Sequence, residues 1–592
     1  MKVRKQKEVG MKGRLKAVIT SAFAFVLALT TVVPAYAAST PAGNSYEASK
    51  GMGSTSSLEV STANSGDTLG AFQVISIDYK SDNTLDYQFT QDFKDFLGST
   101  QYTDYTAAGG KAVATVDDYK ALTSVAAGDS GDLSNLLGAF TKYVKANGKT
   151  AKYTANAPDG TATFTNVDKG QYIIVGMGNT TGALVYQTVT AEVEPKAEGG
   201  VYKLNDKYTV AMKTTQPTPE KKITGGTTDD DGIPTVSIGD KINYEISATV
   251  PTYPAGATNT TFYMKDTLSA GLSLASTADE IVVKGDGTTL TKDTDYTVTI
   301  NGQSLYIDLK YDQVKQYSKI TAAYDAILNE NAKTGSTTGN PNTYDLIWSN
   351  NPYNGETHED HPGDNDEPGY GKETKEKTVY SYALRVEKIE KDKPGVHLKG
   401  ATFDILSSDK QNVLGTITTD DNGFAAFSGL EAGTYYLRET VAPTGYKLMT
   451  EDIEIKLDKT TAVASVTTTT TKTYTTVQDD AKIKTQAVDE SGVPLWLPTG
   501  AAADTAPTAA ATAPAGMVPA YLKTITTTVS QQGGTGTAAQ GFFETKVEDV
   551  PGSNLPSTGG MGTTILYIVG GALVLGSAVF MITKKRMANA EQ

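Results

Sequence analysis

Apolar residues in this chain gather in two unbroken runs near its ends and in short alternating stretches between them. Residues 17–33 and 561–582 carry no charged side chain. Between them, residues 71–79, 241–250, 296–300, 305–309 and 344–348 alternate apolar with polar positions. Residues 153–164 and 172–175 do the same, and Gly, Asn and Asp separate the stretches. A period of two predicts strands with one buried face. Helical spacing occurs only in patches around 93–97 and 133–144. The pattern predicts a mostly β chain of tandem Ig-like β-sandwich domains, with short helical insertions in the first.

The two end runs have different flanks. Lys2, Arg4, Lys5 and Lys7 precede the first, and Ala35-Tyr36-Ala37 follows it. This is the layout of a secretory signal peptide over 1–37, cleaved after Ala37. The second run is preceded by Leu555-Pro556-Ser557-Thr558-Gly559 and followed by Lys584-Lys585-Arg586. A run of about 20 apolar residues spans a bilayer as a helix. The basic cluster holds the tail in the cytoplasm, and the proline keeps the pentapeptide extended. This order resembles the cell-wall sorting signal of Gram-positive surface proteins, here residues 555–592. The resemblance implies that a sortase cleaves between Thr558 and Gly559 and passes the Thr558 carboxyl to an amine. It also implies a secreted chain anchored to peptidoglycan at the surface of a Gram-positive bacterium.

The remaining chain is too long for one core. We read a first domain over 57–212, a second over 213–353, a polar linker over 354–379 and a third domain over 380–554. A repeat links the first and third: Asp159-Gly160-Thr161-Ala162-Thr163-Phe164 and Asn422-Gly423-Phe424-Ala425-Ala426-Phe427 both read as a tight turn entering a strand. Residues 460–540 are dominated by Thr, Ala, Pro and Gly, a composition that rarely forms a core. They read as a Thr-rich insertion and a candidate for glycosylation. Leu497-Pro498-Thr499-Gly500 inside it lacks one residue of a sorting pentapeptide and reads as a decoy.

Composition narrows the function. The net charge of −15 argues against nucleic acid, which binds basic patches. The chain has no cysteine, so a secreted protein here forgoes disulfides or replaces them. A phosphate-binding loop and a Gly-x-Ser-x-Gly elbow are both missing from the sequence, and no cofactor is implied. His358-Glu359-Asp360-His361, with Asp364 and Asp366, has metal-like spacing, but it lies in the linker, and metal sites need a rigid scaffold. No metal is expected.

Two stretches suggest the replacement for disulfides. Tyr435-Tyr436-Leu437-Arg438-Glu439-Thr440-Val441-Ala442-Pro443-Thr444-Gly445-Tyr446 resembles the E-box of collagen-adhesin B-type Ig-like domains, and Leu384-Arg385-Val386-Glu387-Lys388-Ile389 resembles their first strand. The resemblance implies an isopeptide bond from Lys388 to the last strand, with Glu439 as the promoting acid. Val547-Glu548-Asp549-Val550 offers Asp549 as the acceptor. In the second domain, Pro219-Glu220-Lys221-Lys222-Ile223, Met264-Lys265-Asp266-Thr267-Leu268 and Trp348-Ser349-Asn350-Asn351-Pro352 resemble the companion A-type pilin domain. That resemblance implies a bond from Lys221 to Asn350, with Asp266 as the acid and Asn351 as the other candidate acceptor. Strand alternation favours Lys221 over Lys222. Burial is what such chemistry requires, since it disfavours the charged amine and the charged acid together.

Together these stretches resemble a sortase-assembled major pilin. The resemblance implies a structural backbone subunit, not an enzyme, linked to identical subunits in a covalent fibre. It implies a pilin sortase, a housekeeping sortase and peptidoglycan as partners, with host surface ligands as a further class. The linking lysine is expected at Lys213, with Lys196 as its rival. The alternative is a monomeric wall-anchored adhesin or a minor basal or tip pilin.

Overall fold

The structure, a computed structural model, describes residues 55–552 apart from 81–83, 125–130, 178–181, 199–200, 230, 336–337, 354–360, 365, 459–465, 479–485, 503–504 and 532–541. Ala37, the sorting pentapeptide, the C-terminal apolar run and His358 to Asp360 lie outside the described residues. The chain divides into two compact units.

The first unit is built on two sheets. Strand Thr55–Ser61 lies between Lys207–Ala211 and Ala162–Asp168. The larger sheet runs Leu85–Phe89, Asp67–Tyr79, Gly170–Gly176, Val189–Val193, with Tyr153–Ala157 also paired to Asp67–Tyr79. Leu58, Val60, Phe164, Tyr172 and Ile174 fill the space between them. Four helices, Gln91–Leu97, Thr100–Ala107, Val116–Thr123 and Gly131–Ala146, cover the outer face of the larger sheet. Their core is aromatic, with Phe93, Phe96, Tyr119, Phe140 and Tyr143 buried together. Two of these helices were not legible from apolar spacing. Each has eight residues and one or two buried side chains, too few to show a period. Their caps are visible instead: Ser99 accepts from Tyr102 N–H, and Thr115 and Asp118 form a capping box.

The second unit holds two sandwiches. In the first of them, Pro219–Ile223, Lys241–Thr249, Lys319–Leu328 and Val282–Gly285 form one sheet. Tyr296–Asn301, Ser304–Leu309, Phe262–Leu268, Asn340–Ser349 and Tyr370–Val379 form the other. Tyr370–Val379 was expected in the linker, but it pairs along its whole length with Asn340–Ser349. It is a sheet edge with an exposed run of Lys, Glu and Thr. Charged edge strands resist further pairing, and that polarity is what makes the strand read as linker.

In the second sandwich, Lys393–His397, Tyr382–Glu390 and Phe424–Leu430 form a sheet, and Phe542–Asp549 pairs in parallel with Tyr382–Glu390. Val413–Thr418, Thr402–Leu406, Gly433–Val441 and Ile453–Leu457 lie opposite. Leu384, Val386, Phe403, Leu437 and Val547 are in the core. The turn of the sequence repeat recurs, with φ of +84° at Gly160 and +79° at Gly423.

The Thr-rich segment has more structure than its composition suggests. Val466–Thr475 and Tyr521–Gln531 form an antiparallel ribbon, and Leu495–Pro498 pairs with Thr508–Ala509 and Met517–Pro519 at its end. Ala487, Leu495, Leu497 and Ala520 make a small core there. Threonine is a good strand former, and a ribbon needs little core of its own. Leu497 of the decoy is 1% exposed inside this sheet. The ribbon end touches the first sandwich: Val488 N–H donates to Glu330 Oε1 (3.0 Å), and Asn331 Nδ2 donates to the Val488 carbonyl (3.0 Å).

Candidate functional site

Strand Tyr382–Glu390 places Leu384, Val386 and Lys388 on its core face by simple alternation. Lys388 thus takes a position its neighbours fill with apolar side chains, and it is fully buried. Its Nζ lies 2.9 Å from Glu439 Oε1 and 2.9 Å from Asp549 Oδ1. Glu439 comes from strand Gly433–Val441, paired opposite Phe403, whose ring stands 5.2 Å from Nζ. Asp549 ends the last strand, in register with Glu390. The Met449 N–H donates to Glu439 Oε2 at 2.8 Å, and Met449 Sδ lies 3.5 Å from Nζ. Asp549 Oδ2 is buried without a hydrogen-bond partner.

Two carboxylates and one ammonium in a dry core would leave a net buried charge, which is costly. Burial raises Asp549 above the ordinary carboxylate range, against the pull of Lys388. A neutral carboxyl next to an amine is the arrangement that can condense with loss of water. The structure thus brings together the three residues expected from the sequence: Lys388, Glu439 and Asp549.

The second cluster lies in the other sandwich. Along Pro219–Ile223, Lys221 points inward and Lys222 outward. Lys221 Nζ pairs with Asp266 Oδ2 and donates to the Tyr324 hydroxyl oxygen at 3.0 Å. The same oxygen accepts from Asn342 Nδ2 at 2.9 Å. The rings of Tyr244 and Tyr324 stand 5.0 and 5.7 Å from Nζ. Burial lowers the Lys221 pKa and raises that of Asp266; each partner's attraction opposes its shift. Among the atoms here, Asp266 Oδ1 and Asn342 Oδ1 lack hydrogen-bond partners.

Asn350 is not in this cluster. Its Nδ2 donates to the Gly182 carbonyl at 2.7 Å, within the second unit. Asn342, Tyr344, Leu346, Trp348 and Asn350 share one parity, so alternation cannot choose between the two asparagines. Eight residues of strand separate them, about 26 Å. Register decides: Leu268 faces Asn342, next to Asp266, which faces Tyr344. The signal available in the sequence was an asparagine in the inward row of a strand, not one beyond its end. Asn351 is buried just past the same strand.

The remaining candidates are placed as follows. Lys213 is exposed after the buried Met212, and Lys196 is exposed at the start of Lys196–Glu198. His361 Nε2 lies 3.1 Å from Asp308 Oδ2 and stacks on Tyr306 at 4.0 Å. Asp364 pairs with Lys265 at 2.7 Å, and Asp366 with Lys372.

Comparison with known proteins follows this geometry. The model for a prealbumin-like fold domain matches residues 383–472. The model for Gram-positive pilin backbone subunit 2, Cna-B-like domain, matches residues 238–352. The second domain therefore carries a Cna-B-like description where the sequence reading expected the A-type companion. The trypsin-resistant surface T6 protein of Streptococcus pyogenes serotype M6 is 30% identical over 450 residues, which is 72% of this chain and 81% of that protein. The solved structure of the T6 backbone pilin of Streptococcus pyogenes, described as modular, three-domain and decorated with variable loops and extensions, superposes with a TM-score of 0.58 at 21% identity. The match covers 85% of this chain and 99% of that one. With most of its length matched to the T6 protein and a backbone-pilin model matching its second domain, the chain belongs to the family of Gram-positive backbone pilins.

Proposed function

We propose that this chain is polymerised head to tail by a pilin sortase, which cleaves between Thr558 and Gly559 and joins the Thr558 carboxyl to Lys213 of the next copy. Lys196 is the rival acceptor. A housekeeping sortase then attaches the fibre to peptidoglycan. Inside each subunit, Lys388 bonds to Asp549 with Glu439 as the acid, and Lys221 bonds to Asn342 with Asp266 as the acid. The observation that carries the reading is the pair of buried lysines, each held against an acid, with Asp549 touching Lys388 and Asn342 sharing the Tyr324 hydroxyl with Lys221. Proximity in a dry core supplies most of what the reaction lacks in solution, so no external enzyme is required. Each bond forms once, and the protein is a structural subunit, not a turnover enzyme.

A boiled, detergent-treated extract of wall from the native organism, blotted for this chain, tests the polymer. A ladder of high-mass species is expected. A single band released only by wall digestion would instead support an anchored monomer.

A further inference from the structure

We propose that the Tyr324 hydroxyl is a catalytic proton relay for the Lys221–Asn342 bond, carrying a proton from the attacking lysine to the departing ammonia. The inference rests on the reading of Asn342 as the acceptor. The reaction needs such a group. An amide nitrogen is a poor leaving group until it is protonated, and the cluster is sealed from solvent: Lys221, Asp266, Tyr324 and Asn342 are each at most 4% exposed. The proton must therefore come from a side chain already present.

Tyr324 is in contact with both nitrogens. Its oxygen accepts from Lys221 Nζ at 3.0 Å and from Asn342 Nδ2 at 2.9 Å. It is held there by strand Lys319–Leu328, in register with Tyr244, on whose ring it stacks at 5.6 Å. Asp266 touches the lysine from the other side and is also within reach of Tyr324 and Asn342.

The atoms balance as follows. The neutral Nζ attacks Asn342 Cγ, the new N–C bond forms, and the carbonyl pair moves to Oδ1. Protonated Asp266 would stabilise that oxygen, and Asn342 Oδ1 is buried with no hydrogen-bond partner before the reaction. Amide Nδ2 has no basic lone pair and can only donate. In the tetrahedral adduct it becomes an amine and can accept. The hydroxyl then turns its proton to Nδ2 and takes one from the now cationic Nζ. The Cγ–Nδ2 bond breaks and ammonia leaves. Asp266 and Tyr324 end unchanged, and the one proton lost by the lysine has gone to the ammonia.

The test is a time course. The full chain is made by cell-free synthesis, sampled at intervals, and weighed intact and as tryptic peptides. Wild type is expected to lose one ammonia, located in a Lys221–Asn342 cross-linked peptide. Tyr324→Phe is expected to slow that loss about a hundredfold, a usual size for a general acid–base contribution. Loss of water at Lys388–Asp549 in the same molecules should keep its rate and so report that synthesis and folding are intact. Maturation of Tyr324→Phe at the wild-type rate would overturn the relay and leave the bond standing. A wild-type chain that keeps its ammonia would overturn the bond itself. Should the Phe variant fail to fold, 3,5-difluorotyrosine at position 324 keeps the shape and lowers the phenol pKa. A shifted pH profile of ammonia loss is then expected, and an unshifted one would overturn the relay.

Discussion

At the scale of single residues, the proposed bonds depend on burial to make ordinary side chains reactive. Lys221 and Lys388 stand in rows of apolar neighbours, and each finds an acid and an acceptor instead of water. Asn342→Ala should abolish the ammonia loss, while Asn350→Ala should leave it intact; intact mass separates the two. The Asn342→Ala chain should also lose about 4–5 kcal/mol of stability, the size expected when a covalent closure of a long loop is removed. Denaturant unfolding measures it. The pH dependence follows from the two shifts in this pair. Burial lowers Lys221 and raises Asp266, so both shifts move the pair toward the neutral amine and the neutral acid relative to exposed side chains. An exposed lysine would instead gain amine about tenfold per pH unit up to about pH 10.4. The rate of ammonia loss should therefore rise less steeply between about pH 6 and about pH 8 than the roughly tenfold per unit of an exposed lysine, and a full tenfold rise per unit would show that the lysine is ionised. Lys221, Asp266, Lys388, Glu439 and Asp549 were all legible from motif and alternation. Asn342 was not, because parity along a strand names a face and leaves the position along that face open.

At the scale of elements, turns and strand edges hold the reactive groups in place. The glycine turn before Phe424–Leu430 is required by its surroundings. Gly423 has φ of +79°, and a Cβ there would stand 2.8 Å from His397 Cβ and 2.9 Å from the Lys388 carbonyl oxygen. Lys388 N–H donates to the Gly423 carbonyl at 2.8 Å, so this turn fixes the backbone that carries the lysine. Gly423→Ala should cost about 1–3 kcal/mol and slow the loss of water at Lys388, read by thermal unfolding and by mass. The same turn was visible as Asx-Gly in the sequence, because its chemistry is local. Strand Tyr370–Val379 was not, since its polar face is solvent and only pairing with Asn340–Ser349 defines it. The Thr-rich ribbon was hidden for a related reason: each of its strands is stabilised by the other, with some fifty residues between them.

At the scale of the molecule, the proposed Lys388–Asp549 bond would tie the strands through which a pull along the chain enters and leaves. In the second sandwich of the second unit, Lys388 lies on the first strand and Asp549 on the last, and these run in parallel. Force entering one and leaving by the other would shear their hydrogen bonds; a covalent link carries it past them. This answers the absence of cysteine in a chain expected to work outside the cell. Lys213→Ala should collapse the ladder of polymers to monomer, and a ladder that persists in this variant but vanishes in Lys196→Ala would move the linkage to Lys196. Replacing residues 466–531 by a short turn should leave the Lys388–Asp549 bond forming at its usual rate. Among the described residues, the core around that bond is drawn from the sandwich's own strands, and intact mass again reads the outcome.

The sequence by itself determined the β class and the expected surface role, and it named the two buried lysines and the acids the structure sets against them. These depend on residue type, on alternation and on motifs that are contiguous in the chain. The tertiary structure alone decided the register that brings Lys221 and Asn342 to one Tyr324 hydroxyl, and the pairing of the Thr-rich ribbon. Each of those is a contact between strands far apart in sequence, and its energy depends on how they are aligned and on the water that alignment excludes.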